Sequence, residues 1–591
     1  MKRRNFHRGK ASVAVLLLAV VVWTAVAPTQ AAADRDINIL IGSTSTLGSS
    51  LDASELRQLL KGEEEIDAQE LADFSADKVV FSDIRLLVDD VELPDGTTMS
   101  QTVHYRDVEL KDVVDGIAGS LTIGSTTTET PTLTLQAGEL TMEDFNVPAV
   151  LAFYGMVDAA DADDMATLVS GGHQGGFNFE TDDGMSCTGK GMDFGATEAR
   201  PLEFSFHDLI ADIASDAGDD GDDAEELSGL LKLIAEFSSA VRMEESVIHG
   251  LHCFMADAAD DEPEGFTLDE LRIGAFDGPV LPAFELHDFA LLTTAGSDAT
   301  AFSFDNLTVK PIDYSAPLAA LQQAGDALDE QWLDEHKREL VPEPQGLSLK
   351  NLVVSMPAAP GELVTGTDAS LDEFDLTLAD YVDGAPTTLT ARIDRLSIDL
   401  PEELPGDLGA QLEALGVDRL VADSQLALDW NQADEIFTLD KLALDLQRLG
   451  AVDLSAELGN VSTNLISGDA GKALTSAMGL TVNQLQIGLA DHGAGNVLFN
   501  ILAEQSDSSV EQQRTTIAGM VQAMISGMLG SAEDISALAE DVGTFIREDG
   551  HQLSITLTAR EGDSVPALAL MQLRDDPGKL SELFHIKTVL E

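Results

Sequence analysis

One six-residue pattern recurs along this chain and limits what it can fold into: apolar, any, usually Asp or Asn, apolar, any, apolar. It stands at Phe81-Ser82-Asp83-Ile84-Arg85-Leu86 and Tyr105-Arg106-Asp107-Val108-Glu109-Leu110. It returns at Met142 to Val147, Leu286 to Leu291, Phe304 to Val309 and Leu349 to Val354. Looser copies at Ile393 to Ile398, Leu439 to Leu444 and Val482 to Ile487 lack the Asp or Asn. Apolar residues two apart share one side of a strand, and the polar residue breaks or turns that alternation. The expected fold class is α+β and β-rich, with repetitive antiparallel strand layers and a few amphipathic helices. From Phe304 the copies start at 304, 349, 393, 439 and 482, which suggests a repeat of about 45 residues in the C-terminal half.

Helix ends are marked between the strands. Ser315 and Pro317 open an apolar face through Leu318, Leu321, Leu328, Trp332 and Leu333, predicting a helix to about Leu340. Asp222 or Asp223 opens another through Leu227, Leu230, Leu231, Ile234 and Phe237. Asp407 to Leu415 ends at Gly416. Val510 to Leu529 and Ile535 to Ile546 predict a helical hairpin, with Ser531 and Asp534 as a capping box for its second arm. Strands are expected at Gln552 to Thr558 and Val565 to Leu573, and a Gly-rich turn at Ser170 to Gly176.

The first 33 residues predict export. Lys2, Arg3, Arg4, Arg8 and Lys10 precede an uncharged stretch from Ala11 to Ala27, and Ala31-Ala32-Ala33 offers a small-residue cleavage site. That order is a bacterial-type signal peptide. An uncleaved anchor is the alternative, and Arg3-Arg4-Asn5-Phe6 also resembles a twin-arginine signal. Residues 1–33 are thus set apart from an N-terminal β-rich region (34–180), a middle β-rich region with a helix (181–300) and a repeat-like region with the helical hairpin (301–591). A periplasmic or secreted location follows, with no transmembrane span after cleavage.

The chain carries 105 acidic and 33 basic residues, a net charge of −72. Losing five positive charges and no acids takes it to −77 (−72 − 5). Such a surface repels phosphate backbones, so nucleic acid is excluded as a partner. The acids are interleaved with a 44% apolar content, which an acidic disordered chain would lack.

Cys187 and Cys253 are the only cysteines. In an exported chain they read first as a disulfide, with two free thiols or a metal site with His249 and His252 as alternatives. On a regular strand those histidines face opposite ways and cannot share an ion without a bend. Asp216 to Glu226 departs from the helix-loop-helix calcium pattern, because Gly218 holds the third position and Leu227 the twelfth. Gly468 to Ala473 falls short of a phosphate loop and reads as a helix start. Met520, Met524 and Met528 read as the packed side of a hairpin arm, or as a groove for apolar partners.

No catalytic or cofactor motif stands out, and no catalytic, cofactor-binding or metal residue is assigned. A leader followed by long, Leu-rich, repetitive strands is similar to bacterial envelope proteins of the AsmA-like kind. That resemblance implies a β-rich groove for lipid. The expected function is a non-enzymatic cell-envelope protein that holds lipid or another apolar ligand, with lipid or an envelope protein as partner. A calcium-stabilised surface or adhesive protein and an exported hydrolase are the alternatives.

Overall fold

The computed structural model describes residues 37–591 except 62–70, 93–97, 154–156, 158–163, 183, 202–235, 256–264, 296–297, 325–329, 357–366, 401–403, 405–407, 468 and 561–563. The expected leader and nearly all of the helix expected from Asp222 or Asp223 lie outside the described residues, as do the Asp216–Glu226 loop and Leu328. The fold is α+β and β-rich, as the pattern implies. Two compact units form, residues 1–286 with 312–342 and residues 287–311 with 343–591. The expected boundary near 180 falls instead inside a hairpin of the first unit.

In that unit β1 (Ile37–Ile41) and β2 (Thr44–Leu47) both pair with β3 (Ala76–Glu92). β4 (Thr98–Val114) follows on β3, and β5 (Ile117–Glu129) on β4. β5 pairs in turn with β6 (Leu133–Ala137) and β7 (Leu140–Asn146). A small sheet joins β8 (Ala166–Val169), β13 (Thr197–Ala199), β14 (Val241–Met243) and β17 (Phe276–Asp277). The main sheet continues from β7 to β9 (Gly171–Gln174), and from β6 to the hairpin of β10 (Phe177–Thr181) and β11 (Met185–Gly189). β12 (Gly191–Phe194) and β11 both pair with β15 (Ser246–Met255), which pairs with β16 (Gly265–Ile273). The predicted Gly-rich turn is therefore strand. A Cβ at Gly172 would lie 2.4 Å from both the Phe194 ring and the Thr141 carbonyl, so close packing explains glycine there.

The recurring pattern breaks the pleat. Along β4 the buried residues are Val103, Tyr105, Val108, Leu110 and Val113, so the step of two becomes three at Asp107 and again at Asp112. In a regular strand, residues three apart face opposite ways. Asp107 (φ 54°) and Asp112 (φ 53°) take left-handed conformations that absorb the extra residue. Asp and Asn enter that region at least cost after Gly.

The neighbours step together. Gly124 stands opposite Asp107, and Gly119 is flanked by Asp112 on β4 and Asp144 (φ 49°) on β7. The ladder keeps register because both partners carry the extra residue at one level, unlike an ordinary bulge. Each break puts two consecutive polar residues outside, as with Arg106 and Asp107, while the apolar face stays on one side.

Short strands β18 (Val280–Leu281) and β21 (Ile312–Asp313) pair in the first unit. There α3 (Ser315–Ala324) begins where Ser315 and Pro317 predicted. The second helical stretch, α4 (Glu330–His336), gives way to a turn rather than running to Leu340.

The second unit is a meander. β19 (Phe284–Ala295) pairs with β20 (Asp298–Val309). After the two-residue β22 (Glu343–Pro344), β23 (Gly346–Met356) pairs with β20. β24 (Thr367–Val382), β25 (Ala385–Asp399), β26 (Arg419–Asn431), β27 (Ile436–Leu446), β28 (Gly450–Gly459) and β29 (Thr481–Asp491) then follow, each antiparallel to the last. β30 (Gln552–Ala559) and β32 (Phe584–Leu590) complete it. The spacing near 45 residues thus falls on strands of one sheet, adjacent for β20 and β23 and alternate from β23 to β29, not on stacked self-contained units.

Among the helices here, α5 (Leu408–Ala414) ends at Gly416 (φ 70°) as expected. α6 (Ala470–Gly479) starts where the Gly468 stretch predicted, with Asp469 accepting from the N–H groups of Gly471 (2.8 Å) and Lys472 (3.0 Å). α7 (Ala494–Ser506), α8 (Val510–Leu529) and α9 (Glu533–Arg547) follow. The hairpin of α8 and α9 forms, but the capping box belongs to the first arm, through Ser509 and Gln512. In the second arm Ala532 is the N-cap, and Asp534 is drawn instead to Arg560 at 2.7 Å. The strand expected at Val565 to Leu573 is only β31 (Val565–Pro566), because Ala567–Met571 coils into α10. Ala and Leu favour helix, and the place beside β30 is already taken by β32.

Buried Arg514 joins three helices. It donates to the Ile546 carbonyl (2.9 Å) and Asn496 Oδ1 (3.1 Å), pairs with Asp549, and lies over the Phe499 ring. Lysine has no planar fork to reach those acceptors together, so Arg514→Lys should cost about 2 kcal/mol in urea denaturation. Asp107→Val, which forces a β-branched side chain into a left-handed conformation, should cost about 1–2 kcal/mol, whereas Asp107→Gly should cost nothing.

Candidate functional site

Two apolar surfaces are the strongest candidates, one in each unit. In the first unit α1 (Ala53–Lys61) and α2 (Val147–Phe153) cover the inner face of β3, β4, β5 and β7. Asp52 caps α1, its Oδ1 accepting from the N–H groups of Ser54 (2.6 Å) and Glu55 (3.0 Å). Those N–H groups, Glu55 foremost, hold the Asp52 carboxyl below its usual range. Glu55 returns a bond to the Asp52 N–H at 2.6 Å, completing a capping box. The helix then buries Leu56 and Leu59. Asn146 Oδ1 caps α2 through the Ala149 N–H (3.1 Å), and α2 buries Val150, Leu151 and Phe153.

Between sheet and helices lies a cavity of about 220 Å³. Leu56, Phe81, Val108, Ile123, Met142 and Leu151 are among its walls, and every described lining residue is apolar or aromatic. Tyr105 brings the one hydroxyl, and burial pushes its ionisation far above the ordinary range, so it stays a neutral phenol. With no carboxylate, imidazole or amine among its described lining residues, the described walls offer no general base at neutral pH. A dry apolar cavity of about 150 Å³ already admits benzene, so this one has room for a stretch of hydrocarbon.

In the second unit apolar residues meet strand after strand. One ladder runs Leu347, Leu376, Ala391, Leu426, Leu442, Leu454, Ile487 and Ile555, each opposite the next. A neighbouring ladder joins Leu349, Phe374, Ile393, Ser424, Leu444, Val452, Leu489 and Leu553. The ends of this face are filled. Phe289 stacks on Phe304 at 5.0 Å with Phe302 against them, while α9 sets Ile535 and Leu538 beside Ile555, Leu557 and Ile586. The middle is open, with Leu442, Leu444 and Val452 at 44%, 40% and 41% exposure. Adjacent exposed aliphatics on one sheet face form a contiguous patch of the kind that marks a binding surface.

The opposite, polar face carries a cleft where the pleat breaks line up. Lys350 lies 3.6 Å from Glu373, Arg395 3.4 Å from Asp372 and Arg392 2.6 Å from Asp394. Asp423 Oδ1 accepts the Arg395 backbone N–H at 2.8 Å. Its cations are matched by carboxylates, so it binds the sheet to itself.

Cys187 and Cys253 face each other on β11 and β15 and are bonded, with Cα atoms 4.0 Å apart. The bend absent from a regular strand is present between the two histidines. Gly250 (φ 57°) breaks the pleat, and the His249 ring lies 2.9 Å from Asp193 and 3.7 Å from Glu270. His173 also meets Asp193 at 2.7 Å, and the two imidazoles, His173 foremost, hold that carboxyl below its usual range. Among the described residues no group of three or more His, Cys, Asp or Glu is placed to hold a metal ion. No described helix is long and apolar enough to cross a membrane.

A family model described only as an uncharacterized protein matches residues 443–589, about a quarter of the chain. The match runs from within β27 through the hairpin of α8 and α9 to β32, one end of the open apolar face. No curated protein matches the chain.

Cross-linking a loop of 66 residues stabilises chiefly by restricting the unfolded chain. Cys253→Ser should therefore cost about 2–5 kcal/mol in the denaturation of the first unit, and reductant should lower the wild type to the same level.

Proposed function

We propose that this is an exported, non-enzymatic cell-envelope protein that holds the hydrocarbon chain of a lipid. The observation that carries the reading is the cavity beneath α1 and α2, whose walls can solvate an alkyl chain but offer a polar substrate almost nothing. The open ladders of the second unit support it, since their exposed centre is aliphatic. A positively charged leader ahead of a strongly acidic body supports export. The acidic surface disfavours anionic headgroups, so a neutral or zwitterionic lipid is the expected cargo.

Native mass spectrometry of protein purified from a bacterial periplasm tests this directly. The expected result is a bound mass of several hundred daltons that organic extraction removes and that fragments as lipid, on a chain beginning near Asp34. Ile123→Trp, which fills the cavity, should lower lipid occupancy at least tenfold while the protein stays folded. A wild-type preparation free of adduct that also fails to take up added fatty acid or phospholipid would sink the reading.

A further inference from the structure

Met520, Met524 and Met528 read in the sequence as a packed side, and they stand outward instead at 59%, 55% and 54% exposure. The cavity of the first unit is the reverse case, an apolar space covered by α1 and α2 with two buried hydroxyls past one end. Along β5 the residues Leu121, Ile123, Thr126 and Thr128 are all buried on the inner face, and Leu121 and Ile123 line the cavity. Thr126 is the next inward residue after Ile123 and stands opposite Tyr105 on β4, so it adjoins two of the cavity walls. Thr128 lies one step further along, opposite Val103. The two threonines are 5% and 3% exposed, and neither Oγ1 has a hydrogen-bond partner among the described residues. An unpaired buried hydroxyl destabilises the fold, and valine would fill the same space without that cost.

We propose that Thr126 and Thr128 receive the head of the cargo, and that the cargo is a single-chain, uncharged amphiphile whose head carries ester and hydroxyl oxygens. This deepens the lipid reading above and rests on it. A hydroxyl both donates and accepts, which suits oxygens of either kind. Among the described lining residues there is no cation, so an ionised carboxylate or phosphate brought here would be buried without a counter-charge. Residues two apart on a strand are separated by about 7 Å, more than one oxygen can bridge, so the head must present at least two. The cavity sets the length of chain that is felt. A cavity of about 150 Å³ admits the six carbons of benzene, so in the same proportion this one takes about nine. Carbons beyond that number gain no further contact with its walls.

Titration of the full chain with monoacylglycerols of six to twelve carbons, with octane as a headless control, tests the proposal. Affinity should rise about fourfold with each methylene up to about nine carbons and then level off. Ionised decanoate should bind at least tenfold more weakly than the ten-carbon monoacylglycerol. Thr126→Val should weaken that monoacylglycerol about tenfold, leave octane binding as in the wild type, and leave the melting temperature of the unliganded chain the same or higher. Thr126→Ser, which keeps the hydroxyl, should retain the wild-type preference for the head. Equal effects of Thr126→Val on octane and monoacylglycerol would overturn this inference and leave the lipid reading standing, as would decanoate binding as tightly as the monoacylglycerol. A chain that takes up neither octane nor any monoacylglycerol would sink both.

Discussion

The whole sheet system depends on a local backbone event, one residue entering the left-handed region in the middle of a strand. Asp107, Asp112, Asp144, Gly250, Asp288, Asn351 and Arg395 all do so. Each turns a step of two into a step of three, and at Asp107, Asp112, Asp144, Gly250 and Asn351 the strand opposite makes the same step at the same level, as β24 does opposite Arg395. A long strand such as β3 or β4 can then bend without surrendering its apolar face or its ladder. An unmatched bulge would shift the register, as happens between Ile393 and Leu396 on β25, where Asp423 alone faces two residues. The paired form costs a strained conformation, and Asp, Asn and Gly keep that cost low.

The breaks also organise charge. At the Asp, Asn and Arg breaks two consecutive polar residues stand together, so a line of such breaks becomes a line of polar and ionisable side chains. In the second unit Lys350, Arg392 and Arg395 sit among Asp372, Glu373, Asp394 and Asp423. A chain with few basic residues thus places three where carboxylates crowd. Single exposed pairs contribute little, but alternating charges along one line offset repulsion that would otherwise splay the strands.

Much of this was legible in the sequence. The spacing of zero, three and five marked where alternation changes phase, and every copy of it falls on a strand save for Val147, the last residue of its copy, which opens α2. The copy at Ile248 to Cys253 was missed because Gly stands in the third place. That omission made His249 and His252 look opposed across a strand that is in fact broken between them. Val565 to Leu573 misled because alternating apolar residues do not reveal that the neighbouring place in the sheet is occupied. The cavity under α1 and α2 was invisible for a related reason, since its walls come from seven elements and only the pairing brings them together. The outward turn of the methionines was equally hidden, because a four-residue interval fixes a helix face but not its direction.

The paired steps have a further consequence for how this chain can change length. Each works as a frame shift in the geometry of a strand, and two adjacent strands must share the frame. Loss of Asp107 alone would send Val108, Leu110 and Val113 to the solvent side of β4, while Leu121 and Ile123 opposite them stayed inside. Loss of Asp107 together with its partner Gly124 would restore agreement between β4 and β5 but move the mismatch out to β3. Within the sheets, length is therefore inherited in whole transverse rows, and the loops are where single residues can come and go.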